Sequence, residues 1–348
     1  MTAVNVHTPK KMLRSLKGEV TADVPLWLMR QAGRYLPEYR ALRAKAGSFL
    51  KLCYTPEMAA EITLQPLRRF DLDAAILFSD ILVIPHALGQ PLDFVEGEGP
   101  KLDPLPDLAA FDALDVEGFE KNLFPVYETL GRVKAELNPE KTLIGFAGAP
   151  WTVACYMIQG HGGGSFSRAR EMGAADPAGF TAFLEKLADV TSLYLLSQVR
   201  HGADAVQIFD SWAGLVPQEH FDDWVIRPTR RIIDKIRRAY PAFPIIGFPR
   251  QASGRYARYA AETGVSGLGL DPDAEFADLP KTLCLQGNLA PEILLRGGDR
   301  MAAAVHEILS ASAGRPYIFN LGHGVIKETP PDHVAQLADL VHACKRPI

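Results

Sequence analysis

Eight short apolar runs recur along the chain, at residues 25–29, 74–78, 142–147, 205–209, 244–248, 267–270, 282–286 and 317–320, with longer helical patterns between them. No other feature constrains the fold as tightly. The runs are brief, apolar and β-branched or aromatic, as strands buried between two layers must be. Strands that alternate with helices pair in parallel, and about eight of them predict a (β/α)8 barrel spanning residues 1–348 as one domain. The alternative is a doubly wound sheet. It is weakened because no Gly-x-Gly-x-x-Gly lies between a strand and a helix.

Several helix boundaries are legible. Thr55-Pro56-Glu57 predicts a capping hydroxyl before a proline at the first helical position. Asp176-Pro177 opens a segment that runs to Arg200, and Gly202 suits a left-handed helix end. Pro217 is expected to open another helix, and Pro331-Asp332 the last. Residues 90–115, rich in Pro, Gly and acids, read as a surface excursion.

Charge and cysteine usage narrow the function. The net charge of −4 argues against a general nucleic-acid binder. Residues 1–51 nevertheless carry ten Lys and Arg against three acids, which suggests a small anionic ligand or else a solvated basic face. Cys53, Cys155, Cys284 and Cys344 form no Cys-x-x-Cys pair and are expected to be reduced thiols. No run is long enough to cross a membrane, and the basic N-terminus has no apolar segment behind it, so a cytoplasmic protein is expected.

Barrel enzymes build their sites on the loops that follow the carboxyl ends of the strands. Here those positions hold Arg30-Gln31-Ala32-Gly33-Arg34, Ser79-Asp80, Gly148-Ala149-Pro150-Trp151 leading into Tyr156, Asp210-Ser211-Trp212, Gly287-Asn288, and Asn320-Leu321-Gly322-His323-Gly324. Two guanidinium forks on one glycine-bearing loop suit carboxylates or phosphates, or could pair with a structural acid such as Glu38. Without a glycine-rich phosphate cradle nearby, carboxylates are favoured. Asp80 emerges from an apolar strand and needs a partner, either a ligand or a structural group. Tyr156 could pack in the core, Ser211 could cap a helix, and His323 is opened to a ligand by its flanking glycines.

Other chemistries lack their motifs. There is no His-Glu-x-x-His, no Gly-x-Ser-x-Gly, no Walker motif, no lysine at an apolar strand end, and no His-x-Cys followed by a distant Cys. The remaining set of arginines, one carboxylate and neutral hydrogen-bonding groups can hold a polyanion and stabilise a cation.

Five segments carry a resemblance. Pro25-Leu-Trp-Leu-Met-Arg-Gln-Ala-Gly-Arg-Tyr-Leu-Pro-Glu-Tyr-Arg40 is similar, almost unbroken, to the N-terminal signature of the uroporphyrinogen decarboxylase family. Leu77-Phe-Ser-Asp-Ile-Leu82, Gly145-Phe-Ala-Gly-Ala-Pro-Trp-Thr-Val-Ala-Cys-Tyr156, Gln207-Ile-Phe-Asp-Ser-Trp-Ala-Gly214 and Asn320-Leu-Gly-His-Gly324 resemble further blocks. The resemblance runs from about residue 10 to 345.

It implies a somewhat distorted barrel, usually a homodimer, with a deep cleft at the strands' carboxyl ends. It also implies a haem-pathway carboxy-lyase that converts the four acetates of uroporphyrinogen III to methyls without a cofactor, giving coproporphyrinogen III. Carried over by position, the catalytic pair is Asp80 and Arg30. The substrate contacts are Arg30, Gln31, Ala32, Gly33, Arg34, Asp80, Tyr156, Ser211 and His323.

The sequence departs from the family pattern at Gln159 and the run to Gly164, at Gln251 where Gly is usual, and at Ala290 where Asp is usual. None of these falls on an assigned residue, so their effect is expected on loop conformation. Two alternatives stay open: a cobalamin- or zinc-dependent methyltransferase of the same barrel superfamily, and a non-catalytic tetrapyrrole binder.

Overall fold

A computed structural model describes residues 10–95 and 97–346; residues 1–9 of the N-terminal segment, and Glu96 within the excursion, lie outside it. Among the described residues nine strands form, β1 (Ala74–Ile76), β2 (Leu92–Val95), β3 (Gly99–Leu102), β4 (Thr142–Gly148), β5 (Ala205–Asp210), β6 (Ile245–Pro249), β7 (Gly267–Gly269), β8 (Cys284–Leu289) and β9 (Tyr317–Leu321). Seven of them build one parallel sheet in the order β1-β4-β5-β6-β7-β8-β9. Helical crossovers such as Pro177–Arg200, Arg227–Ala239 and Gly298–Ala311 connect most neighbours. No helix lies between β7 and β8.

Seven of the eight expected strands are present, within two or three residues of their expected ends. The eighth, at 25–29, is not a full strand: Leu26 makes one isolated parallel bridge, to Phe319 of β9. Side chains take the place of some ladder partners there, beside the backbone bonds of Trp27 and Pro25 with Phe319. The Leu26 N–H donates to the Asp73 carboxylate (2.9 Å), and the Met29 N–H donates to Asn320 Oδ1 (3.0 Å). The Asp73 N–H in turn donates to the Leu26 carbonyl (2.7 Å), so the segment still lies between β9 and the start of β1.

The curled sheet encloses an apolar cluster drawn from alternating inward positions: Trp27, Met29, Ala74, Ile144, Ala205, Ile246, Phe248, Cys284 and Ile318. Helix Lys11–Leu16 closes its amino-terminal end by inserting Met12 and Leu16. A Cβ on Gly267 would stand 2.8 Å from a Leu16 methyl, which explains the glycine in that apolar strand. A polar chain threads the interior. The Trp27 indole donates to Gln286 (2.9 Å), whose amide donates to Gln207 (2.9 Å). Buried strand glutamines are tolerated because each finds a partner.

Other expectations divide. Asp176 caps its helix by accepting from the Gly179 N–H (2.9 Å), and the last helix spans Pro331–Ala343. Thr55 does not cap; its hydroxyl donates back to the Lys51 carbonyl (2.6 Å). Pro217 precedes only a short 3-10 turn, and the α-helix begins at Arg227. The 90–115 excursion contains the antiparallel hairpin β2–β3, which packs Leu92 and Leu102 against Leu82 beside Tyr156. All four cysteines are free thiols, three of them buried. Among the described residues no helix is long and apolar enough to cross a membrane.

Candidate active site

Every strand of the parallel sheet delivers its carboxyl end to one side of the molecule, and the expected residues gather there. The arginine loop is locked from beneath. Gln31 is fully buried: its side-chain oxygen accepts from the Leu28 N–H (3.1 Å) and its amide donates to the Ala74 carbonyl (3.0 Å). The Gln31 side chain therefore holds the loop to β1, and the groups left for a ligand are its neighbours. Arg30 and Arg34 are exposed, Ala32 and Gly33 half-exposed. Among the described residues the backbone N–H groups of Ala32 and Gly33 have no acceptor. Neither Arg30 nor Arg34 pairs with an acid there; Glu38, the structural acid in reach by sequence, is taken by Arg69 (3.0 Å).

Arg30 adopts φ 61°, a left-handed conformation that costs a side-chain-bearing residue about 1–2 kcal/mol. The strain directs its side chain across the Gly-His-Gly turn, where a Cβ on Gly324 would come within 2.4 Å of Arg30 Cδ. Asn320 Oδ1 accepts from both Met29 and Leu321 N–H groups, and Val325 donates to the Met29 carbonyl (2.9 Å), so the two loops are zipped together. Although solvent reaches Arg30, protein crowds it. Desolvation lowers its pKa, the charge of Asp80 opposes that, and Arg34 and Arg250 add to it. Arg30 is thus the group on which the whole site converges.

Asp80 follows β1, whose ladder ends when the Phe78 N–H turns to the Thr63 hydroxyl (3.0 Å). One carboxylate oxygen, Oδ1, accepts from the Leu82 N–H (2.8 Å) and orients the group; among the described residues Oδ2 has no hydrogen-bond donor. Burial raises its pKa, against the Leu82 bond and the Arg30 charge. Asp80 is thus a partly desolvated carboxylate with one oxygen free of donors among the described residues.

Tyr156 lies on helix Pro150–Gln159, packs against Phe166 and Trp212, and has its phenol pushed up by burial. Gly162 leaves it room: a Cβ there would lie 3.0 Å from the Tyr156 ring. Ser211 does not cap a helix, since the following turn is capped at Trp212 without a side-chain bond. His323, half-buried, is held down to about 4 by burial and by the charges of Arg30 and Arg250, so it is neutral above that pH.

Two residues of this region were not singled out by sequence. Arg250 follows β6 directly, and its charge acts on both Arg30 and His323. Its position at a strand's carboxyl end was the available signal. Asp210, at the end of β5, is completely buried. It accepts from the Thr152 hydroxyl (2.5 Å), which itself accepts from the Trp212 N–H (3.1 Å), so it fixes the turn that carries Ser211. Burial raises its carboxyl to about 7.

The departures have local explanations. Gly160 ends helix Pro150–Gln159 at φ 85°, and a Cβ there would meet Pro104 at 2.7 Å. Gln251 occupies φ 57°, the conformation glycine adopts without strain. Ala290 stands at the N-cap of helix Pro291–Arg296, which has no side-chain cap.

Elsewhere, the basic groove on helix Arg227–Ala239 lies on the outer flank, where Asp223 and Asp189 answer Arg227, Arg231 and Lys235. His342-Ala343-Cys344 has His-x-Cys spacing, but no cysteine follows it, and His342 faces Asp71 and Asp73 at the opposite end of the sheet.

Comparison with known proteins gives the family. The model of uroporphyrinogen decarboxylase (URO-D) matches residues 7–344. The chain belongs to the uroporphyrinogen decarboxylase family. It is 53% identical to the uroporphyrinogen decarboxylase of Sphingopyxis alaskensis, with 95% of this chain and 97% of that one covered. To that of Rhodospirillum rubrum it is 49% identical, covering 98% and 99%. Among solved structures, a methyltransferase from Methanosarcina mazei superposes with a TM-score of 0.77 over 95% of this chain and 97% of that one. At 19% identity that likeness shows a shared α/β fold.

Proposed function

We propose that this chain is the carboxy-lyase that removes the four acetate carboxyl groups of uroporphyrinogen III, leaving methyls and giving coproporphyrinogen III. Membership of the decarboxylase family supports the reading. The observation that carries it is the convergence on one cleft of Arg30 and Arg34, without protein acids of their own, and Asp80, desolvated and with one oxygen free. Such a site attracts an anionic ligand through its arginines and stabilises a cation through its carboxylate.

The substrate bears eight carboxylates, which match the guanidinium forks and the backbone donors of Ala32 and Gly33. Its pyrrole N–H groups donate to Asp80. Protonation of a pyrrole carbon makes that ring an iminium-like electron sink. The bond to the acetate carboxyl then breaks, its electrons enter the ring, and carbon dioxide leaves. A proton completes the methyl, and the first proton departs from the ring. Each acetate therefore exchanges carbon dioxide for one proton.

The Asp80 charge stabilises the cationic stage as a preorganised group. On this reading Arg30 delivers the proton, since its crowding makes it a stronger acid than free arginine. Neutral His323, Tyr156 and Ser211 orient carboxylates and ring without adding charge. In this mechanism the protonated pyrrole serves as the electron sink, the role an organic cofactor plays in other decarboxylases.

On this reading the segment at 25–29 acts as the eighth stave of a single barrel domain, and the enzyme works as a cytoplasmic homodimer without nucleic-acid or membrane partners. The test is anaerobic incubation with uroporphyrinogen III, before and after exhaustive chelation, with chromatography of the oxidised products. Coproporphyrin in both samples is expected. Loss on chelation, restored by a metal ion, would overturn the cofactor-free reading, and bound but unchanged substrate would point to a carrier.

A further inference from the structure

We infer that Arg250 is a third carboxylate anchor of this cleft, forming with His323 a subsite for one acetate or propionate arm on the side opposite Arg34. The inference rests on the substrate reading above, and four observations carry it.

The first is placement. Arg250 is the residue after β6, so it emerges at the functional end of the sheet between the turns that follow β5 and β7. The second is a fixed backbone: the Arg250 N–H donates to the Asp210 carbonyl (3.0 Å), and the Arg250 carbonyl accepts from the Gly214 N–H (3.0 Å). This ties the residue to the turn that carries Ser211.

The third is an unanswered guanidinium. The side chain is only 27% exposed, yet among the described residues its guanidinium makes no hydrogen bond. Asp271 is the acid beside it, at 3.9 Å from Nε, too far for a hydrogen bond. That carboxylate is already occupied on its other oxygen, which accepts from the Gln251 N–H (2.5 Å) and from the Tyr256 hydroxyl. Asp271 thus aims Arg250 without consuming its donors. A half-buried guanidinium with free donors calls for an anion, and a planar fork fits a carboxylate bidentately.

The fourth is company. The Arg250 charge lowers the pKa of both Arg30 and His323, so the three lie at the same end of the sheet within electrostatic reach of one another. Neutral His323 can donate one hydrogen bond to the same arm without adding to the cationic crowding.

A macrocycle that presents four acetates in turn is rotated and re-seated between steps, and an anchor on the far side from Arg34 would fix each new orientation. Loss of that anchor should therefore raise KM and release partly decarboxylated intermediates.

The test compares wild type, Arg250→Ala and Arg250→Lys by thermal melting and by anaerobic turnover of uroporphyrinogen III, with products resolved by carboxyl number. The Ala variant should keep its melting temperature, raise KM by about tenfold or more with kcat changed less, and accumulate seven- to five-carboxyl products. The Lys variant, which keeps charge but not fork, should lie between. Unchanged KM and product distribution in the Ala variant would overturn the inference. So would a Lys variant no better than Ala, or a loss traced entirely to unfolding. Failure of the wild type itself to decarboxylate would instead overturn the substrate reading.

Discussion

The two ends of the sheet are built on opposite principles. At the amino-terminal end, Met12 and Leu16 of helix Lys11–Leu16 seal an apolar interior. Charged groups near that end are paired, as Asp73 is with Lys11 and His342, and Asp204 with Lys10 and Lys134. At the carboxyl end, Arg30 and Arg34 pair with no acid among the described residues, Arg250 has only Asp271 at 3.9 Å, Asp80 is raised by burial, and Arg30 and Gln251 hold left-handed backbones. One end pairs its charged groups and carries stability; the other leaves charged donors and acceptors open for a ligand. The contrast separates residues that fold the chain from residues that work.

That separation can be broken at its stable end first. Leu16→Ala removes a buried side chain from the plug and should cost about 2–5 kcal/mol in chemical denaturation. Its KM and kcat should stay within about twofold, since the site lies at the opposite end. A large kinetic change at preserved stability would show that the two ends are coupled.

Asp210 sharpens the comparison, being a structural acid placed among functional ones. Its folded pKa, about 7, lies above the ordinary carboxyl value. The folded state therefore binds the proton more tightly, and the resulting stabilisation is present at low pH and lost as pH rises from about 4 through 7. For a fully buried group the loss is on the order of a few kcal/mol. Asp210→Asn carries no such proton. Between pH 5 and 8 the wild-type melting temperature should fall relative to the variant, and parallel curves would refute the account.

The smallest expected effect is at Gln251. Gln251→Gly relieves a left-handed backbone and should stabilise by about 1 kcal/mol or less, with activity unchanged. A destabilised variant would mean that the Gln251 side chain contributes more than its backbone costs.

Much of this was legible in the sequence because it is local. Seven strands announced themselves as apolar runs, and Asp80, Ser211 and His323 followed from being next to a strand end. What sequence missed depends on contacts distant along the chain. The 25–29 run is apolar like a strand, yet Asp73 and Asn320 side chains take the Leu26 and Met29 N–H groups and leave a single bridge. The hairpin β2–β3 was hidden by its prolines and acids, and forms because Leu92 and Leu102 find Leu82. Gln31 sits in the arginine loop, but its amide is spent on Leu28 and Ala74. Arg250 was visible as a strand-end residue, but its unanswered guanidinium shows only when Asp271 is seen to be occupied by Gln251 and Tyr256.

The central claim is that the Asp80 charge stabilises a cationic intermediate, and single-turnover decarboxylation by Asp80→Asn and Asp80→Glu tests it most directly. The amide keeps the shape and an acceptor for the Leu82 N–H but lacks the charge, so turnover should fall about 10²–10³-fold with the fold retained. The Glu variant keeps the charge one methylene farther out and should retain more activity than Asn. An Asn variant equal to or faster than Glu, with both folded, would contradict the account and leave Asp80 a hydrogen-bond acceptor alone.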